Sequence, residues 1–161
     1  MKNATSLFAK HALLPHGWAR DVSLSWDGNG VLTAVTPDSQ PGLGVACAVG
    51  PVIPGMPNLH SHAFQRAFAG LTEHRSLGAT NDSFWSWRDL MYRFAGAVTP
   101  EQLGHIATAL YVEMLEAGYT SVCEFHYLHH DSDGQPYADD ATLSASLVDA
   151  ADRAGIGLTL L

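Results

Sequence analysis

Residues 99–161 constrain the fold of this chain most, because helix and strand signals alternate there with a stop signal at nearly every boundary. Thr99-Pro100-Glu101-Gln102 has the spacing of a capping box. The threonine hydroxyl can accept from the amide three residues on, and the glutamine can reach back to the threonine amide. Proline sits at the first helical position, where a missing N–H costs nothing. Leu103, Ile106, Leu110 and Met114 then recur at helical period, and Gly118 ends the run. Residues 120–128 are rich in β-branched and aromatic side chains and read as a buried strand. Asp139 or Asp140 can cap a further helix reaching Ala154, with Gly155 as its stop, and residues 157–161 begin another apolar strand. Upstream, Asp82 or Ser83 can cap a helix with Phe84, Trp87, Met91 and Phe94 on its apolar face. Strands alternating with amphipathic helices predict an α/β fold with a parallel sheet or barrel. A complete (β/α)8 barrel takes about 250 residues. The 161 residues here end inside an apolar strand, so we expect the N-terminal part of such a barrel.

The first fifty residues carry a different pattern. Residues 6–14 form a mostly apolar run closed by Pro15-His16-Gly17. Residues 21–26 alternate, with Val22, Leu24 and Trp26 on one side and Asp21, Ser23 and Ser25 on the other. Asp27-Gly28-Asn29-Gly30 is a hairpin signal, residues 31–35 return as the partner strand, and 37–44 are a polar loop. Residues 49–59 hold three prolines among apolar neighbours and read as a strand entering a tight turn. The expected organisation is a small β-sandwich segment over residues 1–51, then the first β/α units of a barrel over 52–161.

Composition excludes several functions. The formal charge is −8, from 8 basic and 16 acidic residues, and the arginines are scattered singly. No basic stripe of the kind nucleic acid demands is present. Cys47 and Cys123 lie far apart, forming neither a disulfide framework nor a CxxC knuckle. The N-terminus lacks the apolar core of a signal peptide, and no run of about 18 apolar residues offers a membrane span. A cytoplasmic location, with neither nucleic acid nor membrane as partner, is the default expectation.

The sharpest chemical feature is His60-Ser61-His62. On an extended strand, residues i and i+2 share a face, and two imidazoles so placed can bind one metal ion, zinc being well suited. Nine histidines in 161 residues give roughly half of one such pair by chance, so an isolated pair would read rather as two polar residues at a strand end. Position adds to it: the pair follows an apolar strand where a first barrel strand would end, and barrel active sites lie at C-terminal strand ends.

The phrase PGMPNLHSHAFQRA resembles the first-strand metal signature of the amidohydrolase superfamily. NDSFWSWRDLMYR at residues 81–93 and AGYTSVCEFHYLHHD at 117–131 are similar to formimidoylglutamate deiminases within it, a likeness running along essentially the whole chain. The resemblance implies hydrolysis of N-formimidoyl-L-glutamate to N-formyl-L-glutamate and ammonia, a step of histidine breakdown, with one zinc ion per subunit and a homodimer. It implies that His60 and His62 are the first-strand metal ligands, and that Gln65, Arg88 and Tyr127 contact the substrate. It places a further histidine and aspartate ligand, and the glutamate and histidine that move protons, on later strands. No catalytic residue is therefore expected within these 161 residues, and the chain alone is expected neither to hold zinc tightly nor to deaminate.

Plainer roles stand beside these. Arg88 could be a solvated helix residue, Gln65 a loop hydrogen-bonder, and Tyr127 a packing residue with its hydroxyl at the rim. Trp85 and Trp87 read as packing residues. His126, His129 and His130 invite a second metal site, but the resemblance leaves them out of the ligand set, which favours hydrogen-bonded or loop roles. Glu124 sits in the strand, where a catalytic base is tempting, yet the family places its acid and base later. Two other readings of the whole are another amidohydrolase, such as a guanine aminohydrolase, and a non-catalytic binding or structural module. Against the last, an unclosed parallel sheet leaves bare edges.

Overall fold

A computed structural model describes residues 5–71 and 84–161. Packing divides the chain into two compact units, Met1–Pro54 and Gly55–Leu161.

The first unit is a four-stranded sheet in the order β3-β2-β1-β4. β1 (Ser6–Leu14) and β2 (Gly17–Trp26) are antiparallel, with Leu14 opposite Gly17 across the Pro15-His16 turn. β2 thus begins at Gly17, four residues before the alternation becomes visible. β3 (Leu32–Thr36) pairs with β2 across a turn organised by Asp27, whose carboxylate accepts from the amides of Asn29 and Val31. The short β4 (Ala46–Cys47) is parallel to β1. Val52 makes only an isolated bridge to Ala12. Ala9, Ala12 and Val22 form the core of this unit.

The second unit is a three-stranded, all-parallel sheet in the order β5-β6-β7. β5 (Met56–Ser61) starts later than the apolar run suggested, because Pro54 lacks an amide to pair and the preceding backbone is committed to bridging β1. At Gly55 a Cβ would overlap the Thr120 side chain, so the approach to β6 requires glycine. A 3-10 turn, Ala63–Phe68, follows directly and was not legible in the sequence. α1 (Phe84–Ala95) buries Met91 and half-buries Trp87 and Phe94, but Phe84 is exposed against expectation and lies beside Trp85 and Trp87. Its expected caps, Asp82 and Ser83, lie outside the described residues.

α2 (Pro100–Glu116) has the full capping box: the Gln102 amide donates to the Thr99 hydroxyl at 3.3 Å, and the Thr99 amide donates to Gln102 Oε1 at 3.0 Å. Leu103, Ala107, Tyr111 and Met114 form its buried stripe, while Ile106 and Leu110 sit at the margin. β6 (Tyr119–Glu124) stops four residues before the expected Leu128. Leu128 is buried all the same, as part of a loop folded onto the core rather than a strand. α3 (Thr142–Ala154) begins later than either aspartate cap would have it. Asp139 instead holds the preceding turn, its carboxylate accepting from the Ala141 amide and its carbonyl from Thr142. Gly155, at φ 80°, ends the helix in the left-handed conformation and leads into β7 (Gly157–Leu160). Leu143, Leu147 and Ala150 of α3 pack with the α2 stripe. Burying a leucine such as Leu147, 0% exposed, contributes about 1.5–3 kcal/mol. Among the described residues, no helix is long and apolar enough to cross a membrane.

Candidate metal centre

Parallel pairing brings the C-terminal ends of β5 and β6 side by side. Ser61 lies opposite Glu124, and the Phe125 amide donates to the Ser61 carbonyl at 2.9 Å. His60 is on β5, whereas His62 lies one residue beyond the strand, at φ −133° and ψ 83°. The shared face is therefore not wholly a strand face: His60 lies within the strand, which ends at Ser61, and His62 begins the bend into the 3-10 turn. Their rings nonetheless come together, with centroids 4.6 Å apart and planes at 82°. Nitrogens that share one zinc ion each lie about 2.0–2.1 Å from it, which requires rings at this kind of close approach.

His62 has a defined tautomer. Its Nδ1 is 2.8 Å from the Phe125 carbonyl oxygen. A carbonyl only accepts, so Nδ1 carries the proton and Nε2 of the neutral ring holds the free lone pair. Histidine ligands to metals are commonly fixed in this way. Phe125 and Tyr127 pack edge-on against the same ring at 5.7 and 5.0 Å. Two imidazoles are an incomplete set for catalytic zinc, which takes three protein ligands. Among the described residues no group of three or more His, Cys, Asp or Glu could hold a metal ion. The pair fits one side of a zinc centre.

Gln65, on the 3-10 turn, donates from Nε2 to the Tyr127 hydroxyl at 2.9 Å. Both side chains also reach the sulfur of Met91 on α1, at 3.8 and 3.6 Å. Burial, the largest influence, raises the Tyr127 pKa; the Gln65 hydrogen bond opposes it and the Tyr92 and Glu124 side chains add to it. The phenol stays protonated and can donate at neutral pH. The structure thus gathers His60, His62, Gln65 and Tyr127. It does not bring Arg88 into contact with them among the described residues. The Arg88 guanidinium lies over Trp85 and Tyr92, 5.4 and 4.9 Å from the ring centroids. Trp85 is consequently not a packing residue as expected: it is 63% exposed and serves as one side of that stack.

The other histidines separate. His126 and His129 form a pair with centroids 5.2 Å apart, and the buried Nε2 of His126 has no hydrogen-bond partner among the described residues. Burial first, then the neighbouring His129, pushes the His126 pKa down to about 4, against a smaller upward pull from the Leu128 backbone. His130 bridges Pro136 in a separate exposed loop. Glu124, read as a residue of the strand, is almost wholly buried and meets Tyr111 of α2 and the Ala63 amide. Sequence reasoning missed Met91 as a site contact and the Phe125 carbonyl as an anchor. The carbonyl leaves no trace in side-chain identity, and Met91 looked like any residue of an apolar stripe.

Comparison with known proteins agrees along the chain. A profile of the N-terminal domain of formimidoylglutamate deiminase HutF matches residues 4–44, and a profile of the amidohydrolase family matches residues 52–161. The formimidoylglutamate deiminase of Pseudomonas aeruginosa is 57% identical over 157 residues, which is 98% of this chain and 34% of that protein. The chain therefore spans about a third of the length of this curated relative. An amidohydrolase of Brucella melitensis superposes with a TM-score of 0.88 at 50% identity, over 97% of this chain and 34% of that one. More distantly, a mutant atrazine chlorohydrolase of Arthrobacter aurescens, crystallised with zinc and atraton, shares the fold. There the TM-score is 0.67 at 18% identity, over 96% of this chain and 35% of that one. With that profile extending over more than half of its residues, this chain belongs to the amidohydrolase family.

Proposed function

We propose that the protein carrying this chain hydrolyses N-formimidoyl-L-glutamate to N-formyl-L-glutamate and ammonia, with zinc held in part by His60 and His62. The observation that carries this reading is the 57% identity to a formimidoylglutamate deiminase over 98% of the chain. Zinc, when bound, supplies an acidified water, and hence a nucleophile, near neutral pH. The chain's own residues prepare that site. The Phe125 carbonyl holds the His62 ring with Nε2 free to ligate, and the edge-on rings of Phe125 and Tyr127 limit its rotation. Gln65 and Tyr127, hydrogen-bonded to each other, offer an amide and a phenol to the polar groups of the substrate.

The substrate carries two carboxylates, and Arg88 has the planar fork that such a group fits. Its stack on Trp85 and Tyr92 keeps the guanidinium extended across aromatic faces, which lowers the ordering cost when an anion arrives. We place the remaining ligands and the proton-transfer groups outside these residues, and we further propose a cytoplasmic homodimer. The test is ammonia release by the full gene product supplied with N-formimidoyl-L-glutamate and, separately, with guanine. Turnover of the first supports the reading, and turnover of guanine alone refutes it in favour of another aminohydrolase. A zinc-free protein that releases ammonia from neither supports the non-catalytic module.

A further inference from the structure

Glu124 takes no part in the chemistry above, yet its side chain is 1% exposed. A carboxyl group so buried is costly unless its oxygens are engaged, and both are. One accepts from the amide of Ala63, the residue after His62; the other accepts from the Tyr111 hydroxyl at 3.3 Å, from a tyrosine 0% exposed. The adjoining residue completes a pattern. The Phe125 amide donates to the Ser61 carbonyl at 2.9 Å, and the His62 ring donates to the Phe125 carbonyl at 2.8 Å.

Three successive residues, 61, 62 and 63, are thus each tied to 124 or 125 by one hydrogen bond: through a carbonyl, a ring and an amide. On the 124–125 side, the tie at Ala63 is the one made by a side chain, that of Glu124. It falls where the backbone leaves β5 and opens the 3-10 turn, whose N-cap His62 provides no side-chain cap. The Ala63 amide would otherwise be an orphan donor at a buried helical start.

We propose that Glu124 is a positioning residue for the metal centre. Acting through the Ala63 amide, it holds the bend that sets the His62 ring, and Tyr111 fixes its carboxyl group in turn. The proposal rests on the reading of His60 and His62 as ligands.

The test measures zinc affinity by chelator competition, together with Tm, on the full gene product. Glu124→Gln keeps an oxygen for the Ala63 amide and should stay within about threefold of wild type. Glu124→Met removes the acceptor and should lose affinity about 10- to 100-fold, the range found when partners of metal ligands are removed. Tyr111→Phe, which deletes one hydroxyl, should fall between them and decides the matter should Glu124→Met not fold. Leu147→Ala, in the α3 core, controls for general destabilisation: it should lower Tm while leaving zinc affinity unchanged. Unchanged affinity in both Glu124→Met and Tyr111→Phe overturns the proposal, as does an equal affinity loss in Leu147→Ala at matched Tm. Zinc retained in His62→Ala refutes the ligand reading itself and the proposal with it. Zinc lost in His62→Ala but kept in both Glu124→Met and Tyr111→Phe refutes the positioning role alone.

Discussion

His126 makes stability depend on pH in a way that can be worked from its surroundings. Its Nε2 is buried without a partner among the described residues, and the His129 ring stands 5.2 Å away. Both disfavour the imidazolium, so the folded pKa falls from the ordinary 6.5 to about 4. In the unfolded chain the ring takes its proton near 6.5; in the folded chain it resists until about 4. The stability is therefore fully present above pH 6.5 and is lost as pH falls from there towards 4. At about 1.4 kcal/mol per unit, the drop caps the coupling at roughly 3.5 kcal/mol. The residue is only partly buried, and solvent screening reduces the figure to about 1–2 kcal/mol. The assay is urea unfolding of the full gene product at pH 7.5 and 5.0, for wild type and His126→Gln, which cannot titrate. Wild type should lose about 1–2 kcal/mol more than the variant between the two pH values. An identical loss in both proteins refutes the reasoning, because His126 would then be no harder to charge in the folded state than in the unfolded one.

Replacing Leu147 by alanine should cost about 2–5 kcal/mol in denaturant unfolding, since the side chain is fully enclosed between α3 and α2. Removing the Thr99 hydroxyl by Thr99→Ala should cost about 1 kcal/mol, because the capping box loses its acceptor. Gly55→Ala should destabilise by about 1–3 kcal/mol through overlap with Thr120, and Thr120→Ala in the same chain should recover part of it. Arg88→Met should raise KM for N-formimidoyl-L-glutamate at least about tenfold with kcat changed far less, the signature of lost ground-state binding; equal KM values would remove Arg88 from the substrate site.

How much was legible in the sequence follows from which interactions are local. The α2 capping box and the Gly155 stop are short-range devices, and both stand where residues 99–102 and 155 placed them. The ends of β5 and β6 were misplaced because strand ends depend on pairing with distant partners. Phe125 and Leu128 have strand-like side chains, but the ladder to β5 and β7 stops at Glu124. The His60–His62 pair was found through i, i+2 spacing, yet the spacing argument was only half right. His62 leaves the strand, and the ring geometry comes from the Phe125 carbonyl 63 positions away. Glu124 offered a signal in hindsight: an acidic residue inside an apolar strand must find partners, although the sequence does not say that these are Ala63 and Tyr111.

The central claim is that one cation sits between His60 and His62. The most direct measurement is an anomalous difference map at the zinc edge from crystals of the full gene product. The account predicts a peak about 2.0–2.1 Å from Nε2 of His62 and from a ring nitrogen of His60. A zinc peak elsewhere, with neither ring coordinated, would contradict it.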